Sequence, residues 1–202
     1  VKDTSAVAMF KAKDPSQFNT NEEVFFLAWT TTPWTLPSNL GLSVGPNIDY
    51  VLVKTFNPYT HLPINVILAK AALSRYFKPE GENGSFEDYK AEDKLIPWKV
   101  LSEFKGSELE NLEYEPLLAY ESNSLEAVQA ITPDAKPWRV LLGDFVTTED
   151  GTGIVHTAPA FGADDFRVAG VADEQDVQAL GDHPLGLAVD LGDERAGRVE
   201  EI

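Results

Sequence analysis

Two stretches of this sequence combine residue types that do chemistry. In AWTTTPWTLPSN, residues 28–39, a hydrophobic strand pattern runs into Thr30, Thr31 and Thr32, and two prolines then flank Trp34. Side chains alternate across a strand, so Thr30 and Thr32 share one side. Pro33 and Pro37 cannot continue a ladder, so the chain turns there and fixes Trp34 over whatever the threonines face. Hydroxyls beside an aromatic wall can hold a water or a ligand hydroxyl in a small pocket. The plainer alternative is a strand of good β-formers with a core tryptophan. The second stretch is GTGIVHTAPAFGADDF, residues 151–166, with the form of a tight turn, a strand, a proline-containing loop and a helix start. His156 ends the strand and Asp165 follows nine positions later in the first helical turn, so a loop doubling back would bring imidazole and carboxylate to one cleft. A carboxylate there can grip a cation, orient a histidine or act as a base. Capping and dipole compensation would equally account for Asp164 and Asp165, and a satisfied core histidine for His156.

Other chemistries find less support. The chain has no cysteine, which excludes disulfides, thiolate zinc sites and a cysteine nucleophile. A metal site would need His61 or His183 to join His156, Asp164 and Asp165 from afar. No serine stands near His156 in the sequence to build a triad, no phosphate-binding loop or dinucleotide fingerprint occurs, and nothing singles out a catalytic carboxylate pair among 33 acidic residues.

The elements that must position these residues are mostly strands. Short apolar, β-branched runs recur at 7–10, 24–29, 40–44, 50–53, 66–68, 100–104, 138–142 and 154–157, separated by turn-formers such as Gly45-Pro46-Asn47 and Glu149-Asp150-Gly151. Helices are expected only at 69–77 and 164–172. This reads as a mainly β (α+β) fold, an antiparallel β-barrel carrying peripheral helices. With 202 residues and 43% hydrophobic side chains, the chain can bury its own core. The expected division is a barrel domain over residues 1–180, with an acidic surface insertion around 79–94, and a weakly structured exit segment over 181–202. No apolar run approaches the ~20 residues that cross a bilayer, and a cytoplasmic setting is the expectation. The chain begins in mid-pattern without methionine, as a piece of a larger protein would.

Charge is unevenly placed. Residues 80–126 and 164–202 carry the whole net charge of −17, and the remainder is neutral. Such a field repels phosphate. A nucleic acid would therefore have to be met locally by the neutral part, with most of the phosphate affinity coming from elsewhere in a parent protein. The acidic segments themselves read as solvated faces and loops.

Taken together and in this order, WTTTPWTLPSN and GTGIVHTAPAFGADDF closely resemble the two signature stretches of the editing domain of isoleucyl-tRNA synthetase, a class I aminoacyl-tRNA synthetase. The resemblance runs from Val1 to about Ala172. Related valyl and leucyl domains carry an arginine in the threonine-rich stretch, and the valyl ones usually a lysine where His156 stands, so Thr32-Pro33-Trp34 with His156 favours the isoleucyl family. Ala160-Phe161 replace the Gly-His of many bacterial members, and the tail after Ala172 finds no match. The ATP-binding signatures of the synthetic site are absent from this chain.

The resemblance implies a hydrolase acting on a misacylated tRNA. One missing methylene changes binding by only about 1–3 kcal/mol, a range whose standard illustration is the isoleucine–valine discrimination of this same family. A second pocket therefore removes valine wrongly esterified to isoleucine tRNA, by attack of water on the aminoacyl ester. The implied catalytic residues are Asp165, Thr32 and His156. Thr30, Thr31, Trp34 and Asn39 join Asp165 and His156 in holding the substrate: Asp165 on its α-ammonium, Thr32 on a water, Asn39 on the loop or ribose, and His156 beside the ribose and the side-chain pocket. No metal or organic cofactor is expected. The implied partners are the 3′ end of aminoacylated isoleucine tRNA and the rest of a parent synthetase, with no membrane. A non-catalytic module that binds the aminoacylated tRNA end or a small ligand is the alternative, and a metal-dependent hydrolase a third reading.

Overall fold

The computed structural model describes residues 5–118, 136–158 and Asp165. The chain divides into two compact units, Val1–Ala158 and Pro159–Ile202. In the second, the described residue is Asp165, which is helical and half-buried. The remainder of the expected helix at 164–172, and the expected exit segment over 181–202, lie outside the described residues.

In the first unit, each of the eight expected runs overlaps one strand: β1 (Ala6–Lys11), β2 (Val24–Thr30), β3 (Gly41–Val44), β4 (Asp49–Phe56), β5 (Pro63–Ala69), β6 (Lys99–Lys105), β7 (Arg139–Leu142) and β8 (Ile154–Thr157). Their burial follows their sequences. In β6, KVLSEFK alternates exposed Lys99, Leu101, Glu103 and Lys105 with half-buried Val100, Ser102 and Phe104. In β4 the run from Tyr50 to Val53 is buried on both faces, as suits an inner strand flanked by β5 and β6. The expected helical segment after β5 forms a 3-10 turn (Lys70–Ala72) followed by a single α-helical turn, α1 (Leu73–Tyr76).

The strands form one sheet in the order β6-β4-β5-β2-β8-β3-β7, with β1 also on β2. β1–β2, β3–β8, β4–β5 and β4–β6 are antiparallel, whereas β2–β5, β2–β8 and β3–β7 are parallel. The sheet is a curled, mixed half-barrel, which corrects the expectation of a closed antiparallel barrel. The physical reason is that alternation marks a strand but carries no direction, and β2 and β3 take their parallel partners from strands that do not neighbour them in the chain. β2 pairs with β5 at Val24–Phe26 and with β8 at Trp29, so two strands share it end to end.

Residues 111–115 make single bridges rather than a ladder on two sides. Lys13 N donates to Glu113 O (3.0 Å) and Glu115 N to Lys11 O (2.7 Å), while Tyr114 N donates to Trp138 O (3.0 Å) and Val140 N to Leu112 O (2.9 Å). This segment therefore ties the end of β1 to β7 and places Tyr114 inside the core. Phe10 meets the Tyr114 ring edge-on at 5.3 Å, and Phe26, Leu52, Ile67, Leu68 and Ile154 fill the same interior. Each such side chain contributes roughly 1.5–3 kcal/mol through burial. The acidic stretch after Pro79 is anchored by its aromatics, with Tyr89 stacked on Phe56 at 4.3 Å and its hydroxyl 2.8 Å from His61 Nδ1.

Candidate functional site

β2 stops at Thr30, and a 3-10 turn, Pro33–Ser38, follows at once. Pro33 suits the first turn of a helix because the N–H it lacks would have no intrahelical partner. A 3-10 turn has three residues per turn, so side chains three apart eclipse. Thr32 and Thr35 accordingly face the same way, with their hydroxyls 3.3 Å apart. Thr30 lies on that side too: its Oγ1 is 3.3 Å from Thr32 Oγ1 and accepts from Thr32 N at 3.0 Å. Three threonines thus form a chain of hydroxyls at the end of a strand.

The opposite wall is β8. Its approach is fixed by two glycines in the left-handed region, Gly151 (φ +63°) and Gly153 (φ +74°). A Cβ on Gly151 would stand 2.7 Å from the Trp29 ring. Arg75, from α1, donates to Gly151 O (3.1 Å), Thr148 O (2.6 Å) and Glu149 O (2.6 Å), closing the turn from outside. The strand then pairs with β3 so that His156 lies opposite Leu42.

His156 is only 6% exposed, and its ring joins the two walls. Nε2 lies 2.7 Å from Thr35 Oγ1, and Nδ1 lies 3.2 Å from Asn39 Nδ2. Asn39 is buried as well: Nδ2 also donates to Gly41 O (2.8 Å), Oδ1 accepts from the Tyr114 hydroxyl (2.5 Å), and its carbonyl accepts from Trp138 Nε1 (3.2 Å). Burial pushes the Tyr114 phenol well above its usual range, against a smaller opposing effect of the Asn39 hydrogen bond, so the hydroxyl keeps its proton and serves as a donor. On the far side of the β3–β8 ladder, Ser43 and Thr157 pair hydroxyl to hydroxyl at 2.7 Å.

Of the residues expected from the sequence, Thr30, Thr32, Asn39 and His156 come together in one network. Thr31 and Thr32 are exposed at its mouth. Trp34 is 71% exposed, standing out beside the threonines rather than packed over them. Asp165 belongs to the second unit, and residues 159–164, which join it to β8, lie outside the described residues. Sequence reasoning missed Thr35, Tyr114, Trp138 and Arg75. The 3-10 spacing from Thr32 is a signal that finds Thr35. Nothing local marks Tyr114, which is 75 residues from Asn39. Among the described residues there is no group of three or more His, Asp or Glu side chains placed to hold a metal, and no helix is long and apolar enough to cross a membrane.

Chemically, the arrangement is a lip of exposed hydroxyls and one exposed indole, backed by buried neutral donors and acceptors. It suits gripping a polar, uncharged group and holding a water in place.

No protein-family model matches the chain. Curated relatives do. The chain is 56% identical over 172 residues to an isoleucine–tRNA ligase of Cytophaga hutchinsonii, covering 85% of this chain and 14% of that protein. It is 50% identical over 199 residues to an isoleucine–tRNA ligase of Bacteroides fragilis, covering 96% of this chain and 16% of that protein. The latter match necessarily runs into the tail beyond Ala172, where the motif resemblance stopped. Among solved structures, the fold is similar to the P. knowlesi cytosolic leucyl-tRNA synthetase editing domain (TM-score 0.56, 16% identity, 80% of this chain and 60% of that one). It is also similar to GlLeuRS-CP1 (TM-score 0.52, 18% identity, 81% of this chain and 56% of that one). The chain spans about one seventh of the length of the curated relatives it matches, and it belongs with the isoleucyl-tRNA synthetases as a homologue of one segment of them, in the fold of a synthetase editing domain.

Proposed function

We propose that this chain hydrolyses valine misacylated onto isoleucine tRNA, as the editing domain of an isoleucyl-tRNA synthetase. The observation that carries the reading is the hydroxyl chain Thr30–Thr32–Thr35, open at Thr32 and braced from behind by His156, in a chain 50–56% identical to segments of isoleucine–tRNA ligases. Water attacks the ester carbonyl: its oxygen bonds to that carbon, the bond from carbon to the ribose oxygen breaks, and the displaced proton ends on the ribose oxygen. Thr32 holds the water, with Thr30 and Thr31 completing the hydroxyl wall. Trp34, exposed at the mouth, lies along the bound amino acid or nucleotide. Asn39 steadies the loop, and His156 keeps the pocket too small for isoleucine. Asp165 takes the α-ammonium, the one cation every aminoacyl ester offers, through charge-assisted hydrogen bonds of about 1.5–3 kcal/mol each. A positioned water and the neighbouring ribose hydroxyl share the proton movement, so no strong base is required, and no metal enters the reaction. The 3′ end of the tRNA is the partner at this site, and the rest of the parent synthetase supplies most of the phosphate affinity.

The test is deacylation of valyl- and isoleucyl-tRNA, both on the isoleucine tRNA, by the full chain with and without chelator, beside Asp165→Ala. Valine-selective, chelator-resistant release that is nearly abolished in the variant is expected. Wild-type release by Asp165→Ala would remove that residue's role. Absence of release by the unsubstituted chain, with binding of a nonhydrolysable valyl-adenosine analogue intact, would make this a binding module, and loss of activity with chelator would make it a metal hydrolase.

A further inference from the structure

The hydrogen bonds around His156 have a direction, and that direction starts at a residue outside both sequence motifs. Tyr114 OH can only donate to Asn39 Oδ1, because an amide oxygen has no proton to return. Gly41 O, which can only accept, fixes which end of the Asn39 amide carries the hydrogens, and the Tyr114 hydroxyl holds the other end by donating to it, so that Nδ2 has two hydrogens to give. One goes to Gly41 O (2.8 Å) and the other to His156 Nδ1 (3.2 Å). Nδ1 must therefore be bare. The ring's proton then sits on Nε2 and points at Thr35 Oγ1, 2.7 Å away. Thr35 is free to accept it, because its own hydrogen goes to Thr32 O at 2.8 Å. With that hydrogen committed, Thr32 Oγ1, 3.3 Å from Thr35 Oγ1, meets only a lone pair there.

We infer that Tyr114 is a positioning residue for the site: together with Gly41 O it holds the Asn39 amide in the orientation that selects the Nε2–H tautomer of His156, and through His156 and Thr35 it orients the Thr32 hydroxyl. The chain of cause runs from Tyr114 on the bridging segment 111–115, through Asn39 after the 3-10 turn and His156 on β8, back to the turn. Every member except Thr32 is buried, so bulk water does not compete with its hydrogen bonds. Its catalytic consequence rests on the editing reading above, but the tautomer does not.

Imidazole nitrogen chemical shifts distinguish bare from protonated ring nitrogens and test the tautomer directly. On the full chain with labelled histidine, and with His61→Gln and His183→Gln substituted so that His156 alone reports, a bare Nδ1 and a protonated Nε2 are expected at neutral pH. Tyr114→Phe keeps the ring packed on Phe10 and removes one hydroxyl. It is expected to mix the two tautomers and to lower kcat for valyl-tRNA hydrolysis about five- to tenfold, leaving KM unchanged, as loss of one oriented hydrogen bond would. Asn39→Asp can accept but not donate at Nδ1, and it is expected to reverse the ring to the Nδ1–H tautomer. A protonated Nδ1 in the unsubstituted ring would overturn the inference, as would unaltered tautomer signals in both variants. A Tyr114→Phe chain with the tautomer mixed and kcat unchanged would overturn its catalytic half. A chain that shows the expected tautomers but never deacylates tRNA would count against the editing reading and leave the hydrogen-bond assignment standing.

Discussion

The two ends of the sheet differ in how their polar side chains are joined, by a buried network at one and by surface ion pairs at the other. Around β3 and β8, Thr30, Thr35, Asn39, Ser43, His156 and Thr157 are all buried, and each bonds to another side chain or to backbone within the protein. Around β4 and β6, buried hydroxyls such as Thr55, which donates to Pro97 O (3.0 Å), are joined by charged groups at the surface as ion pairs: Lys54 with Glu22 (2.7 Å), Lys70 with Glu103 (2.8 Å) and Lys105 with Asp49 (2.5 Å), their carboxylates about half exposed. Burial decides what each arrangement contributes. Exposed pairs are screened and each adds at most about 1 kcal/mol. A buried group left without its partner costs about 1–3 kcal/mol, so the inner network resists any change to its pattern. One end keeps a geometry, and the other leaves its charges to solvent.

Substitutions test that contrast, the most damaging first. His156→Ala empties a ring-sized space and leaves both Asn39 Nδ2 and Thr35 Oγ1 short of a partner. We expect about 3–5 kcal/mol lower unfolding free energy by urea titration, together with, on the proposed editing function, faster hydrolysis of isoleucyl-tRNA than by the unsubstituted chain. A loss below about 1 kcal/mol would put the site end on the same footing as the surface end. Unchanged discrimination would confine His156 to the fold.

Ser43 and Thr157 make a cleaner probe, since both are fully buried, their hydroxyls bond each other, and they lie on the face of the β3–β8 ladder opposite His156. Ser43→Ala or Thr157→Val alone should cost about 1–3 kcal/mol, and the double variant clearly less than the sum, because the second change removes the orphan left by the first. Strict additivity in the denaturation cycle would mean the 2.7 Å contact couples nothing.

The smallest effect belongs to Glu22. Its carboxyl is held below the usual range by hydrogen bonds from Lys54 and then from Asn65, with slight desolvation opposing. A depressed folded-state pKa contributes stability that is fully present above the unfolded value of 4.5 and is lost as pH falls through the folded value. Glu22→Gln should therefore lower stability by no more than about 1 kcal/mol at pH 7, and the difference should vanish well below pH 4.5. A difference that persisted in acid would mean that the charge is not what Glu22 contributes.

Legibility in the sequence followed the same divide. Each described strand is visible because alternation and turn-formers are local signals, but β2 ends at Thr30, so Thr32 comes to the side of Thr30 through the turn that follows rather than through the strand period. Strand direction was not visible: β2–β5 and β3–β7 are parallel, and a run such as Val66-Ile67-Leu68 looks alike in either orientation. In the site, Asn39 and His156 were named without the contact between them. Trp34 was expected to cover the threonines, yet the 3-10 turn carries it outward while Thr35, one residue later, points in. Tyr114 escaped because only the assembled sheet brings residues 111–115 beside the turn.

That same dependence on distant partners sets a folding order. Thr35 meets His156 across 121 residues and Asn39 across 117, whereas β4 and β5 form a hairpin of neighbours. Loop-closure entropy must be overcome before such remote contacts add stability, so they form late. During synthesis the hairpin can assemble while the chain is still emerging, but the pocket cannot exist until the strand bearing His156 has left the ribosome. The site around His156 is thus among the last of the described parts to acquire its shape.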